Sequence, residues 1–348
     1  MAPLPQKLDS NRNVPGIAYN IILELERRIQ HKIDSGNNME EDMINCRILG
    51  YLFHHFPERA VNGDFVREIT SINGNDEKLL KLGQQYRQFF VKLFKSNQGR
   101  TPSPSPSPHP SRPSFDRIIE QIKATLQEAP QNHQAAKKLA LARDGYRCVV
   151  TKIYDTSSAE HNKELVEILV SEGAETGPTH CAHIIPESIN ANIASGSHKE
   201  SYPVSVWAVL DRFGHQSIWE ELNGDMIHRL ENVMTMEPRI HALFDTLKVW
   251  FAETEEPNTY RLEATQTYLL NKRPKYVTFT TADPKLPPPS PKYLAIHAAC
   301  ARVAHFSGAA EYIEKVFRDM EDIDVLAQDG GSSGLLHEAI LNAKPVAV

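Results

Sequence analysis

From residue 16 to residue 33, apolar side chains return at steps of three and four. Ala18, Ile21, Ile22, Leu25, Ile29 and Ile33 form one stripe, with Glu24, Glu26, Arg27 and Arg28 elsewhere. That spacing predicts an amphipathic helix with one buried face. Ile44, Ile48, Leu49 and Leu52 repeat the pattern until Pro57 stops it. Asn75 or Asp76 can cap a third helix, which carries Leu79, Leu80, Leu82, Tyr86, Phe89, Phe90, Leu93 and Phe94. Residues 16–96 therefore read as a helical domain that packs on itself or on a protein partner. Residues 1–15 lack the pattern and are expected to be disordered.

Residues 97–114 read as a linker. Within them, TPSPSPSPHPSRPS sets a proline at nearly every second position, which removes backbone donors and fixes φ. A second domain, 115–325, follows, and its periodicity alternates. Helices are predicted over 115–126, 134–143 and 161–173, and strands over 146–151 and, as the apolar run CAHIIP, over 181–186. Two helices, 204–213 and 217–222, fill the gap to a short strand at 233–236. Pro238 then opens a helix at its first position, where a missing N–H is harmless. Strands over 248–253, 259–263 and 276–280 come next, then a proline-rich break. A last helix, 293–320, is interrupted near Gly308, and residues 326–348 are expected to be a mobile tail. The fold class is α+β, mainly helical.

The helix opened by Pro238 carries His241 and Asp245. Four residues apart, an imidazole and a carboxylate leave the same face one turn apart, close enough to grip one divalent cation. Upstream, His183 sits in the CAHIIP strand and Asn232 at the edge of the 233–236 strand. Each has an ordinary alternative. His183 could be a hydrogen-bonded core histidine, Asn232 a turn residue, and the His241/Asp245 couple a surface pair. His161, His228, His297 and His305 stand at no spacing that assigns them a role.

The four residues occur in the order strand His, strand-edge Asn, helical His, helical Asp, after RDGYRCVVT at 143–151. In that order they resemble the HNH endonuclease family, and more closely its fungal branch; the tail HAACARVAHFSGAAEYI at 297–313 adds to the likeness. The resemblance implies a ββα-metal core within 143–263 and hydrolysis of phosphodiester bonds, in DNA first of all. It makes His183 the general base and Asn232 the residue that steadies it. His241 and Asp245 become ligands of one divalent cation, Mg²⁺ or Mn²⁺, with Zn²⁺ or Ni²⁺ also admitted. One position departs from the pattern. Many family members carry an Asp or His ligand directly before the base, where this chain has Ala182, and His180 or Glu187 could fill in.

Composition changes this picture in one respect. The chain of 348 residues has a net charge of −6, and between Arg143 and Arg261 there are nearly two acidic side chains for every basic one. A protein that grips DNA through phosphates is expected to show a basic surface. Three readings follow: clustered basic residues, a bound metal that supplies the positive charge, or a substrate other than DNA; the alternative function is a catalytically inactive HNH-fold scaffold that acts as an interaction or nucleic-acid-binding protein. Four scattered cysteines without a C-x-x-C pair point to reduced thiols rather than a zinc ribbon. No apolar run reaches the length of a membrane span, so an intracellular location, cytoplasm or nucleus, is expected.

Overall fold

The computed structural model describes residues 1–8, 16–56, 63–87, 133–187, 210, 218–281 and 285–321. The expectations for the linker, the helix over 115–126, most of that over 204–213 and the tail fall outside these residues. Two units divide the chain. The first comprises Met1–Glu128, Ser188–Glu221 and Arg302–Val348, the second Ala129–Glu187 and Leu222–Ala301.

The first unit contains α1 (Gly16–Asp34), α2 (Glu40–His55), α3 (Asp64–Ser71) and α4 (Asp76–Tyr86); α1 and α4 pack on α2, and α3 packs on α1. Every residue of α2 from Met43 to Phe53 is buried, so α2 is the central helix and shows no single wet face. Asn75 caps α4 by accepting the Lys78 N–H at 3.0 Å. The helix α3 was not visible in the spacing; Phe65, Val66 and Ile69 are its buried residues. The N-terminus differs from expectation as well. Leu4 is 2% exposed, and its N–H donates to the buried carboxylate of Glu26 at 3.1 Å, which also accepts Arg47 Nε at 2.6 Å. Gly50, lacking a Cβ, makes room for the Leu4 side chain. The first residues are held because one apolar side chain and one backbone donor both find buried partners.

The second unit begins with α5 (His133–Arg143). The expected strand over 146–151 is instead a compact turn. Gly145, Tyr146 and Lys152 take left-handed φ of 66°, 58° and 62°, and Cys148 Sγ accepts the Thr151 N–H at 3.3 Å. Left-handed residues at both ends of the stretch turn the chain where a strand needs extension, so the expected strand is a turn. A short parallel pair follows, β1 (Tyr154–Asp155) with β2 (Thr176–Gly177), joined through α6 (Thr156–His161) and α7 (Lys163–Glu172). The helix α7 ends at Gly173, at φ 58°.

Next come β3 (His180–His183) and, after two 3₁₀ turns at Gly224–His228 and Leu230–Asn232, β4 (Val233–Met236). They pair antiparallel, with His180 opposite Met236 and His183 opposite Val233. Helix α8 (Pro238–Asp245) follows, with Pro238 in its first turn. A three-stranded antiparallel meander then forms from β5 (Val249–Glu253), β6 (Thr259–Ala264) and β7 (Tyr276–Thr278). Helix α9 (Pro291–Ser307) and α10 (Ala309–Glu321) are separated by Gly308, at φ 83°. The α+β expectation holds in this form: mostly helices, with small sheets. Among the described residues, no helix is long and apolar enough to cross a membrane.

What fixes β4 is a buried ion pair at the end of α5. Arg143 and Asp144 have side chains 0% and 3% exposed and meet through Nε at 2.7 Å and Nη2 at 3.1 Å. The rest of the guanidinium donates to Leu230 O at 2.6 Å, Val233 O at 2.8 Å and Pro287 O at 3.2 Å. Asp144 Oδ2 accepts the Thr235 N–H at 2.8 Å. Removing one partner strands the other charge without water, which costs about 3–5 kcal/mol. Arg143→Ala is therefore expected to lower unfolding free energy by about that much in urea titration, and Arg143→Lys, which cannot reproduce the planar fork, to recover only part of it.

Candidate metal centre

Strand β3 divides its side chains between two faces. Because successive residues alternate, His180 and Ala182 share one side and Cys181 and His183 the other. Cys181 packs with Ala136 and Ala140 of α5 and with Val233, and burial pushes its thiol up to about 12. All four cysteines are buried and free. The Ala182 side faces α8. There His180 Nδ1 lies 3.2 Å from His241 Nδ1, and His241 Nε2 lies 3.2 Å from Asp245 Oδ2. The three side chains thus form a line, His180 to His241 to Asp245.

That line tests whether a cation fits. If His241 Nδ1–H donates to His180 Nδ1, the lone pair of Nε2 points at the Asp245 carboxylate. Two acceptors at 3.2 Å repel unless a proton or a cation stands between them. Nitrogen and oxygen ligands bound at about 2.1 Å lie about 3.0–3.4 Å apart in octahedral or tetrahedral geometry. The His241/Asp245 couple fits a divalent ion, and His180 occupies the place of an outer partner that sets the tautomer of the ligating ring. Ala182 itself is fully buried and has no donor atom to offer.

His183 is placed differently. It is 8% exposed, and its Nε2 lies 3.1 Å from His228 Nδ1, the rings meeting edge to face at 68°. Glu187 joins them, and one ligand atom from each of His183, Glu187 and His228 lies within 4.8 Å of the others. His228 has no recognisable spacing along the chain, because a buried side chain, Asn232, ties down the turn that carries it. That side chain is fully buried. Its Oδ1 accepts the Ile185 N–H at 2.9 Å, while Nδ2 donates to Ile185 O at 3.0 Å and to Ile227 O at 2.8 Å. Asn232 therefore ties the backbone just after His183 to the backbone just before His228. It acts through the main chain and not by bonding the imidazole.

The C-terminal end of α8 is fixed from the far side. His297 of α9 stacks on Phe244 with ring centroids 3.6 Å apart and planes 6° apart, and its Nε2–H donates to Phe244 O at 3.1 Å. This anchor stands next to Asp245. Residues missed or assigned, everything described for the two histidine clusters lies in the second unit.

Comparison with known proteins bears on the same stretch. A family model described as HNH endonuclease matches residues 148–251, the segment that runs from the Cys148 turn through β3, Asn232, β4 and α8 into β5. Neither the curated proteins nor the solved structures gave a match. The match points to nuclease chemistry in general.

Burial drives the His297 imidazole down to about 3, against an ordinary 6.5, although the bond to Phe244 O opposes the shift. The unfolded chain takes up this proton near pH 6.5 and the folded chain only near pH 3, so the stability contribution is complete above 6.5 and is lost as the pH falls towards 3. In His297→Phe, which keeps the stack but cannot titrate, the slope of unfolding free energy against pH between 6.5 and 4 is expected to be shallower than in the native protein. Equal slopes in the two would refute this assignment.

Proposed function

We propose that this protein is a metal-dependent endonuclease of the HNH type that hydrolyses phosphodiester bonds in DNA. One observation carries the reading. Within the segment that matches the family, helix α8 presents His241 and Asp245 at 3.2 Å, and the strand paired with β4 brings His180 against the other nitrogen of His241.

His241 Nε2 and Asp245 Oδ2 would hold the cation, with His180 Nδ1 accepting the His241 Nδ1–H and so keeping the lone pair on Nε2. A divalent ion there would supply Lewis-acid stabilisation for charge on the scissile phosphate and the leaving oxygen. The donor set, richer in nitrogen than Mg²⁺ prefers, favours Mn²⁺ beside Mg²⁺. The role of general base comes to His183 from the family resemblance, and not from proximity to the α8 pair: β3 turns His183 to the face opposite His180 and α8, against His228 and Glu187. With its Nε2–H donated to His228 Nδ1, the lone pair that takes the proton of the attacking water resides on Nδ1. Asn232 is a positioning residue: it holds the two main-chain segments that carry His183 and His228. The acidic balance of the domain gives the cation a further task, since it offsets carboxylate repulsion of the phosphate.

His183→Ala is expected to lower plasmid nicking in Mg²⁺ or Mn²⁺ by about 10²-fold or more, with Mn²⁺ affinity little changed by calorimetry. His241→Ala should lower both activity and Mn²⁺ affinity. Cutting by His183→Ala at the native rate would remove His183 from the mechanism. The acidic charge and Ala182 favour a second reading, an inactive HNH scaffold. In that case the native protein takes up no Mn²⁺ and His241→Ala changes nothing.

A further inference from the structure

We propose that His183, Glu187 and His228 form a second cation site, selective for Zn²⁺ and similar ions, whose occupation switches hydrolysis off. The inhibitory part rests on the reading of His183 as the general base; the site itself does not.

Three observations carry the site. One ligand atom from each of the three residues lies within 4.8 Å of the others, and two ring nitrogens, His183 Nε2 and His228 Nδ1, already stand 3.1 Å apart. Two ring nitrogens bound at about 2.0–2.1 Å to a tetrahedral ion lie about 3.3 Å apart, so the spacing of the two imidazoles already suits an ion and the carboxylate completes the set by closing in. The residues are also held before any ion arrives. Asn232 grips Ile185, two residues after His183, and Ile227, directly before His228, and Glu187 follows on the same short segment after Pro186. Finally, two imidazoles and one carboxylate are the donor set of open zinc sites and a poor one for Mg²⁺, which demands oxygen.

The consequence for His183 is a matter of tautomers. While Nε2–H donates to His228 Nδ1, the lone pair sits on Nδ1 and can accept a proton from water. When Nε2 ligates an ion, its proton is displaced, and the neutral ring carries its hydrogen on Nδ1 instead. The atom that served as base becomes a donor. The change needs the two rings to turn towards a shared ion and the Glu187 carboxylate to close in, with the main chain that carries the two imidazoles already held.

The test separates the site from its effect. In a His241→Ala background, which removes the α8 ligand, titration against a chromophoric zinc indicator should still show one tightly bound Zn²⁺ per chain. Adding Glu187→Gln should weaken that binding at least about tenfold, and adding His228→Ala should abolish it. Equal affinity in all three proteins overturns the site; circular dichroism checks that each is folded, and Glu187→Gln, a change of one atom, guards against loss of structure. For the switch, with each protein measured against its own zinc-free rate in Mg²⁺, Glu187→Gln should need at least about ten times more free Zn²⁺ than the native protein for half-inhibition. Identical inhibition of native protein and Glu187→Gln overturns the switch. If His183→Ala nicks at the native rate, the base assignment fails and the inhibitory consequence with it, while the Zn²⁺ titrations still decide the site.

Discussion

The buried Arg143–Asp144 pair is the constraint on which the geometry of the second unit depends. Neither charge reaches water, so each must be compensated by the protein, and the groups that do so are the backbone atoms of one short stretch: Leu230 O, Val233 O and the Thr235 N–H. The pair therefore works as a template for β4 and the turn before it. Because β4 pairs with β3 residue by residue, the register that places His180 and His183 follows from the same ion pair. A hydrophobic replacement of equal volume could match it in free energy, but it would not specify which carbonyl lies where.

Asn232 extends this control from strand to turn. An amide side chain with its carbonyl and NH₂ both satisfied inside the protein is strongly directional. Here it holds three main-chain groups from two segments that lie far apart in sequence. The result is a strand whose two faces carry different chemistry. On one, His180 and α8 form a line of acceptors and donors ending in a carboxylate; on the other, His183 meets His228 and Glu187. A one-residue slip of β3 would exchange the faces, which is why so many buried polar contacts converge on its register.

Some elements were legible in the chain and some were not, for identifiable reasons. The helices α1, α4, α5 and α8 were read closely, because a 3.6-residue apolar rhythm, a capping Asn75 and an N-terminal Pro238 are local signals that need no partner. The stretch 146–151 reads as a strand and folds as a turn: a short run of Cys148, Val149 and Val150 suits either, and only the left-handed φ of Gly145, Tyr146 and Lys152 tells the two apart. The ordering of Leu4 escaped notice too, since it rests on a gap above Gly50 and on a buried Glu26 that sequence cannot locate.

For the candidate site, the sequence alone determined the residue types and their local spacing: a histidine and an aspartate one helical turn apart on a helix that Pro238 starts, a histidine within a short apolar strand, and an asparagine next to the following strand. These are consequences of covalent order and helical or extended period. Tertiary structure alone decided which side chains meet. That His180 lies against His241, and that His183 lies against His228 across 45 residues of chain, follows from strand register and from turns pinned by buried hydrogen bonds. Such contacts join positions with no common period, so no pattern along the chain encodes them.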